Sequence, residues 1–302
     1  MIPSLVLNTL RAYVRHVPGS VGKSLLAGRL LNRCLEQYPV TGCARTRYGA
    51  VFSVDTSDFI QRFLYLFGVW EPHLTAWMRR RLVPGDTFVD VGANIGYFTV
   101  LASRLVGPSG HVVAIEASPH FHQALADNLR VNGCGNVRSV NIAVGDNATC
   151  LTFYLENAAN LGATTIVRPH TVQSSFEMQA QTLPQILTPA ELTRARLIKI
   201  DVEGAEGAVI AGLTPLLNQL RPEAELVIEV TPGRLAKLGR SVDDLLDPLF
   251  AHGFHLYRLT NDYSAASYPA ALRRPAVPLR WRRQVTEMSD LVFSRIDADK
   301  LT

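Results

Sequence analysis

The stretch Thr87-Phe88-Val89-Asp90-Val91-Gly92-Ala93-Asn94-Ile95-Gly96-Tyr97-Phe98-Thr99 decides how this chain reads. It opens as a short, almost uninterrupted apolar run, the pattern of a strand buried on both faces of a parallel sheet. It then turns through glycines into a segment of helical composition, Tyr97–Leu105. Glycines at such a turn let the backbone approach a ligand without a Cβ, and the following helix offers free N–H groups. The next apolar run, His111 to Ile115, ends at Glu116, 24 residues beyond Gly92. An acid there is placed to accept hydrogen bonds from both hydroxyls of an adenosine ribose. Strand, glycine loop, helix, strand and acid together form a nucleoside-binding arrangement.

Working outward, short β-branched runs alternate with helical segments from Pro84 onward. The further runs are Val137–Ala143, Arg196–Asp201 and Glu225–Val230, with His120–Val131 and Glu206–Leu217 between them as helices. This rhythm predicts an α/β fold, a mostly parallel sheet covered by helices on both faces. The polar stretch 157–181 interrupts the rhythm. Together with 261–288, it is expected to form insertions around an acceptor.

The glycine pattern limits which nucleoside fits. Aligned on Gly92, the second and third glycine positions of a G-x-G-x-x-G dinucleotide fingerprint hold Asn94 and Tyr97. This counts against NAD(P), because pyrophosphate needs the close approach that the second glycine allows. An acid at Asp90 also suits a cationic methionine amino group better than a phosphate. On the residues alone, an NAD(P)-linked oxidoreductase and a non-catalytic nucleoside-binding module remain as alternatives.

The motif VDVGANIGYFT, followed by Glu116, Asn141-Ile142-Ala143-Val144-Gly145-Asp146 and Ile198-Lys199-Ile200-Asp201-Val202-Glu203-Gly204, resembles the FkbM family of S-adenosylmethionine-dependent methyltransferases. The resemblance covers roughly residues 71 to 229. It implies a class I methyltransferase, Rossmann-like, with a seven-stranded sheet, and oxygen methylation of saccharide, polyketide or lipid-linked hydroxyls. It further implies that Asp90, Gly92, Asn94 and Gly96 form the methionine-side loop and that Glu116 holds the ribose. Ala143, with Asp146 nearby, would border the adenine, and Asp201 would lie beside the methyl donor. Where many relatives read T-L-D, this chain has Thr182-Leu183-Pro184, which puts a polar role at position 184 in doubt.

Methyl transfer to an alcohol requires alignment and removal of a proton. The candidate acids are Asp201 and Glu229, each at a strand end, with Glu203 and Glu206 at the next helix start, where acids also complement the macrodipole. Asp201 and Glu229 either act on the acceptor hydroxyl directly or bind a divalent cation through oxygen ligands. His170 is a weaker candidate base, and His255 reads as structural. Tyr257, Asn261, Tyr263 and Trp281 are expected to line the acceptor pocket.

Residues 1–82 read as a helical cap with a hairpin around Gly49, and residues 83–302 as the cofactor-binding domain. Leu5, Leu10, Val14 and Val17, then Leu26, Leu30 and Cys34, are the apolar stripes expected to pack. The chain's net charge is only +4, but Met1 to Arg47 hold seven Lys or Arg and one acid, Glu36. A second acid-free basic cluster is Arg273, Arg274, Arg280, Arg282 and Arg283. Such patches attract phosphates or anionic membrane, so peripheral membrane contact through the N-terminal helices is one expectation. A nucleic-acid substrate is not favoured, because no strand end of the N-P-P-Y or D-P-P-Y kind is present. The four dispersed cysteines suggest buried free thiols. Without a spanning segment or a convincing signal peptide, the cytoplasm is the expected compartment.

Overall fold

Every residue of β1 (Thr87–Val91) is buried, as a run without apolar–polar alternation requires. The computed structural model describes residues 4–19, 21–155, 164–169 and 171–302. On one side of β1 lie β2 (His111–Glu116) and β3 (Val137–Asn141). On the other lie β4 (Ala195–Ile200) and β5 (Glu225–Val230), and all five strands are parallel. Next come β6 (His255–Leu259), β7 (Leu279–Arg280) and β8 (Ser289–Ser294), in the spatial order β3-β2-β1-β4-β5-β8-β6-β7. Strand β8 is antiparallel to both of its neighbours. The sheet therefore has eight strands rather than seven. The additional one is the two-residue edge strand β7, which pairs with Tyr257 and Arg258. Pro275 and Pro278 immediately before it remove backbone donors and hide it from a pattern search.

The crossovers start where the local sequence dictates. Ser118 caps helix Pro119–Val131 by accepting the Phe121 N–H, with Pro119 in the first turn. Two apolar clusters pack on the sheet, one on each face, and the face with Phe88, Val112 and Leu197 also holds the N-terminal segment.

That segment comprises helix Ser4–His16, the α, π and α stretches Lys23–Leu25, Leu26–Leu31 and Asn32–Gln37, and the hairpin Thr41–Arg45/Val51–Asp55. Helices Phe59–Phe67 and Pro72–Arg81 follow. The packing stripes differ from those expected. Leu7 and Val14 are buried, whereas Leu5 and Val17 are exposed. In the second stretch Ala27, Leu31 and Leu35 are buried, and Leu30 is exposed. Leu10 and Leu26, also on the expected stripes, pack half-buried against the same core.

A second sheet rises beside the main one. Its strands run Ala143–Gly145, Ser174–Thr182, Thr149–Leu155 and Thr164–Thr165 in spatial order. The run expected over Val137–Ala143 thus breaks at Ile142, and the described end of the 157–181 stretch is a strand. Position 184 lies in the short helix Leu183–Ile186, which Thr182 and Gln185 cap. The cysteines are free, as expected, but none is buried; Cys43 and Cys150 sit on exposed strand positions. Among the described residues, no helix is long and apolar enough to cross a membrane.

Candidate active site

The ends of β1, β2 and β4 open into a cleft. Its floor is the turn after β1. Gly92 has φ 86°, and a Cβ there would lie 1.8 Å from the Asp201 carbonyl oxygen. Only glycine lets this turn pass so close to the end of β4. At Gly96, with φ 87°, a Cβ would lie 2.4 Å from Leu125 Cδ1. Asn94 lines the cleft in a left-handed conformation, its side-chain oxygen accepting the Ile95 N–H at 2.7 Å. Glu116 accepts the Asn94 N–H at 2.7 Å through one oxygen and the Ser118 N–H at 2.8 Å through the other. Burial outweighs these two bonds and pushes its carboxyl up to about 7. Ile142, Val144, Phe121 and Phe153 form an apolar slot beyond it. Phe153 comes from the second sheet and stacks on Phe176.

Deeper in, acids outnumber bases. One oxygen each of Glu71, Asp201 and Glu229 lie within 4.8 Å of one another. Asp290 lies opposite Glu229 in the β5–β8 register, and Asp90 is buried behind the glycine turn. The cation among them is Lys199, whose ammonium donates to Asp201 at 2.7 Å. Burial opposes its charge, but Asp201, Asp90 and Glu71 outweigh burial and hold it protonated. Tyr263 donates toward Glu229 at 3.0 Å and Glu71 at 3.3 Å, and its ring stacks on Trp70. Glu71, Asn94 and Glu203 are the non-glycine residues with positive φ among those described, and all three lie at this site. Strain held at such positions is maintained by the surrounding structure and clusters where function is built.

Burial and then neighbouring acids raise Glu71 and Glu229 well above the usual carboxylate range, and burial pushes Asp290 up to about 6. Carboxyls raised in this way hold protons in the folded state that the unfolded chain releases. Their contribution is therefore absent below the ordinary value of 4.5 and destabilises the empty protein as pH rises above it. Glu71→Gln is accordingly expected to raise the melting temperature at pH 8 by about 2–4 °C, the size of roughly 1 kcal/mol. The gain should vanish below about pH 4. Differential scanning fluorimetry at both values checks this, and an unchanged or lower midpoint at pH 8 would contradict it.

The structure brings Gly92, Asn94, Glu116 and Asp201 onto one cleft wall, with Glu229 below. Asp90 does not line the cleft; one oxygen accepts Thr99 Oγ1 at 2.6 Å and the other is buried without a partner. The Ala143 side chain packs inside the second sheet, and its neighbours Ile142 and Val144 face the cleft instead. Asp146 points to Arg240. Glu203 lines the cleft and pairs with Arg234, while Glu206 accepts the Gly204 N–H at 2.9 Å at the start of its helix. Tyr257 is fully buried and donates to the Ile296 carbonyl, so it is no part of an acceptor pocket. Trp281 sits at the sheet edge under Arg258. His255 is structural, bonded to Arg280 at 2.8 Å. Asn261 and Tyr263 lie together near Asp290, and His170 falls outside the described residues.

Glu71, Lys199 and Asp290 were not among the expected site residues. Each carries a faint signal: an acid between Trp70 and Pro72, a lysine inside an apolar strand, and an acid opening one.

The chain is similar in sequence to several known methyltransferases. The chain is 36% identical over 77 residues to a protein-L-isoaspartate O-methyltransferase of Ignicoccus hospitalis, covering 25% of this chain and 35% of that protein. It is 24% identical over 188 residues to the hexuronic acid methyltransferase AglP of Haloferax volcanii, covering 62% of this chain and 72% of that one. The chain thus spans about a third of the first relative's length and nearly three quarters of the second's. The solved structure of a methyltransferase FkbM from Methylobacillus flagellatus aligns with a TM-score of 0.37 and 17% identity, over 78% of this chain and 52% of that one. The methyltransferase FkbM domain matches residues 90–256. With that match over more than half its length, the chain belongs to the FkbM methyltransferase family.

Proposed function

We propose that this chain is an S-adenosylmethionine-dependent methyltransferase that methylates a saccharide hydroxyl. The observation that carries the reading is the convergence of Glu71, Asp201 and Glu229 beside the glycine turn. The residues present fit the cofactor. Gly92 lines the cleft beside Asn94, Glu116 and Asp201, and Asp90 keeps an unpartnered buried oxygen behind the turn. Asn94 and the turn, with Asp90 buried behind them, would form the methionine end, Glu116 would hold the ribose, and the slot of Phe121, Ile142 and Val144 the adenine. When bound, S-adenosylmethionine supplies an activated methyl on a sulfonium.

The chain's own contribution is alignment and proton removal. Lys199 fixes one Asp201 oxygen, which leaves the other to accept the acceptor's hydroxyl proton. Glu229 and Glu71, joined by Tyr263, offer further acceptors to a molecule with several hydroxyl groups, as a sugar has. The relative AglP, named for hexuronic acid, supports a saccharide over other hydroxyl acceptors.

Glu116→Gln is expected to weaken S-adenosylhomocysteine binding about 10- to 100-fold, the worth of hydrogen bonds to a charged acceptor. Calorimetric titration checks this, and wild-type affinity would remove Glu116 from the ribose role.

A second reading comes from the same three carboxylates, whose spacing suits a hard divalent cation. Lys199 already places a positive charge in the cluster, which favours the direct role. Incubation with methyl-labelled cofactor and fractionated saccharide and glycolipid acceptors, with and without EDTA, tests both points. Label in a saccharide fraction that survives EDTA supports the direct reading. Loss of turnover restored by magnesium supports the metal, and label only in protein or RNA rejects the saccharide.

A further inference from the structure

The strongest unexplained feature lies away from the active site, on the N-terminal helices. Arg11, Arg15, His16, Arg45 and Arg47 line a surface cleft between helix Ser4–His16 and the hairpin. Among the described residues, none of these arginines forms an ion pair with a carboxylate. Glu36, the one acid of the first 47 residues, instead faces Arg62 at 3.9 Å.

Backbone carbonyls hold the guanidiniums in place. Arg15 donates to the Tyr65 carbonyl at 3.0 Å and also to that of Arg45. Arg47 donates to the Arg15 carbonyl at 2.8 Å and to that of Phe67 at 3.2 Å. Arg11 lies over the Tyr65 ring at 4.0 Å. Carbonyls position these groups but leave their charge uncompensated. Burial, then repulsion from Arg11 and Arg47, pushes Arg15 down to about 10.

The same N-terminal segment carries apolar side chains that the core did not take. Leu5, Val21 and Leu25 are 77%, 84% and 63% exposed, and Val6, Val17 and Leu30 are exposed as well. Leu5, Ala12 and His16 follow one another at helical spacing, so Leu5 stands on the face that ends in the cleft. Basic side chains beside protruding apolar ones are the composition of an element lying in a membrane interface.

We propose that the N-terminal helices dock on an anionic lipid bilayer, the arginine cleft taking lipid phosphates and the aliphatic side chains entering the acyl boundary. Charge complementarity selects an anionic surface. The aliphatic character, with Tyr38 the exposed aromatic of this segment, selects lipid over a nucleic acid, whose bases stack on aromatic platforms. Helix Ser4–His16 has 13 residues and lies on such a surface rather than crossing it.

The test is co-sedimentation of the full chain with vesicles of phosphatidylcholine alone and of phosphatidylcholine mixed with phosphatidylglycerol. Binding is expected to the mixed vesicles only and to fall with salt. Arg45→Glu is expected to weaken it about fivefold or more. Leu25→Asp should weaken it comparably at constant charge on the arginines. Both positions are exposed and distant from the active-site cleft, so the melting temperature and S-adenosylhomocysteine affinity should stay unchanged in each variant. Equal binding to neutral vesicles, no binding to anionic ones, or wild-type binding by both variants would overturn the proposal. So would retention on RNA without vesicle binding. The outcome is independent of the methyl acceptor, so either proposal can fail alone.

Discussion

Asp201→Asn should lower the rate of methyl transfer by about 10²–10⁴, the span ordinarily lost with a general base. The substitution keeps the side chain's shape and one oxygen for Lys199, which donates to Asp201 at 2.7 Å. What disappears is the capacity to take a proton. The turnover number should therefore fall while S-adenosylhomocysteine affinity changes by less than about tenfold, in line with the loss of an interaction made mainly in the transition state. A parallel loss of cofactor affinity would make Asp201 a binding residue. Wild-type turnover would transfer the base to Glu229 or Glu71.

Gly92→Ala should be among the most damaging changes available to this chain. The new Cβ would meet the Asp201 carbonyl oxygen at 1.8 Å and its carbon at 2.8 Å, both backbone atoms at the end of a buried strand. Overpacking costs about 1–3 kcal/mol, and a left-handed non-glycine residue about 1–2 kcal/mol more. The melting temperature should drop by roughly 10 °C at about 2–4 °C per kcal/mol. Cofactor binding should be lost with it, because the glycine turn and Asp201 move apart. Gly133→Ala is the control, with φ 64° but no atom within 4 Å of the added Cβ. It carries the backbone cost alone. Equal losses in the two variants would show that the contact with Asp201 is unimportant.

The parallel sheet was legible because its strands are almost uninterrupted apolar runs, and the site's floor because glycines and an acid follow them at set spacing. The acid cluster was not. Glu71 precedes the first sheet strand, Asp290 follows a long irregular stretch, and neither lies in a motif. They meet Glu229 through the β5–β8 pairing and a strained turn before Pro72, which are tertiary facts. Tyr257 and Tyr263 show the same limit. Both flank the end of one strand, yet one is core and the other joins two carboxylates. The N-terminal segment is helical where the apolar spacing repeats, with a π stretch at Leu26–Leu31, but the core takes only Leu10, Val14 and Leu26 of the expected stripes and adds Leu7, Ala27, Leu31 and Leu35. Which side chains of a helix are taken depends on what the rest of the fold presents to it.

The place of β8 in the sheet has a consequence for how the molecule comes into being. This strand, last of the eight in chain order, lies between β5 and β6. Pairings such as Leu226 with Phe293 are therefore distant in sequence and slow to form. As the chain leaves the ribosome, the nucleoside-binding half of the sheet can assemble first. The mutual repulsion of Glu229 and Asp290 arises only after β8 inserts, and the same strand brings Val292 to one apolar layer and Leu291 and Phe293 to the other. Chain order thus delays the most self-repelling part of the protein until the strand that helps to contain it arrives.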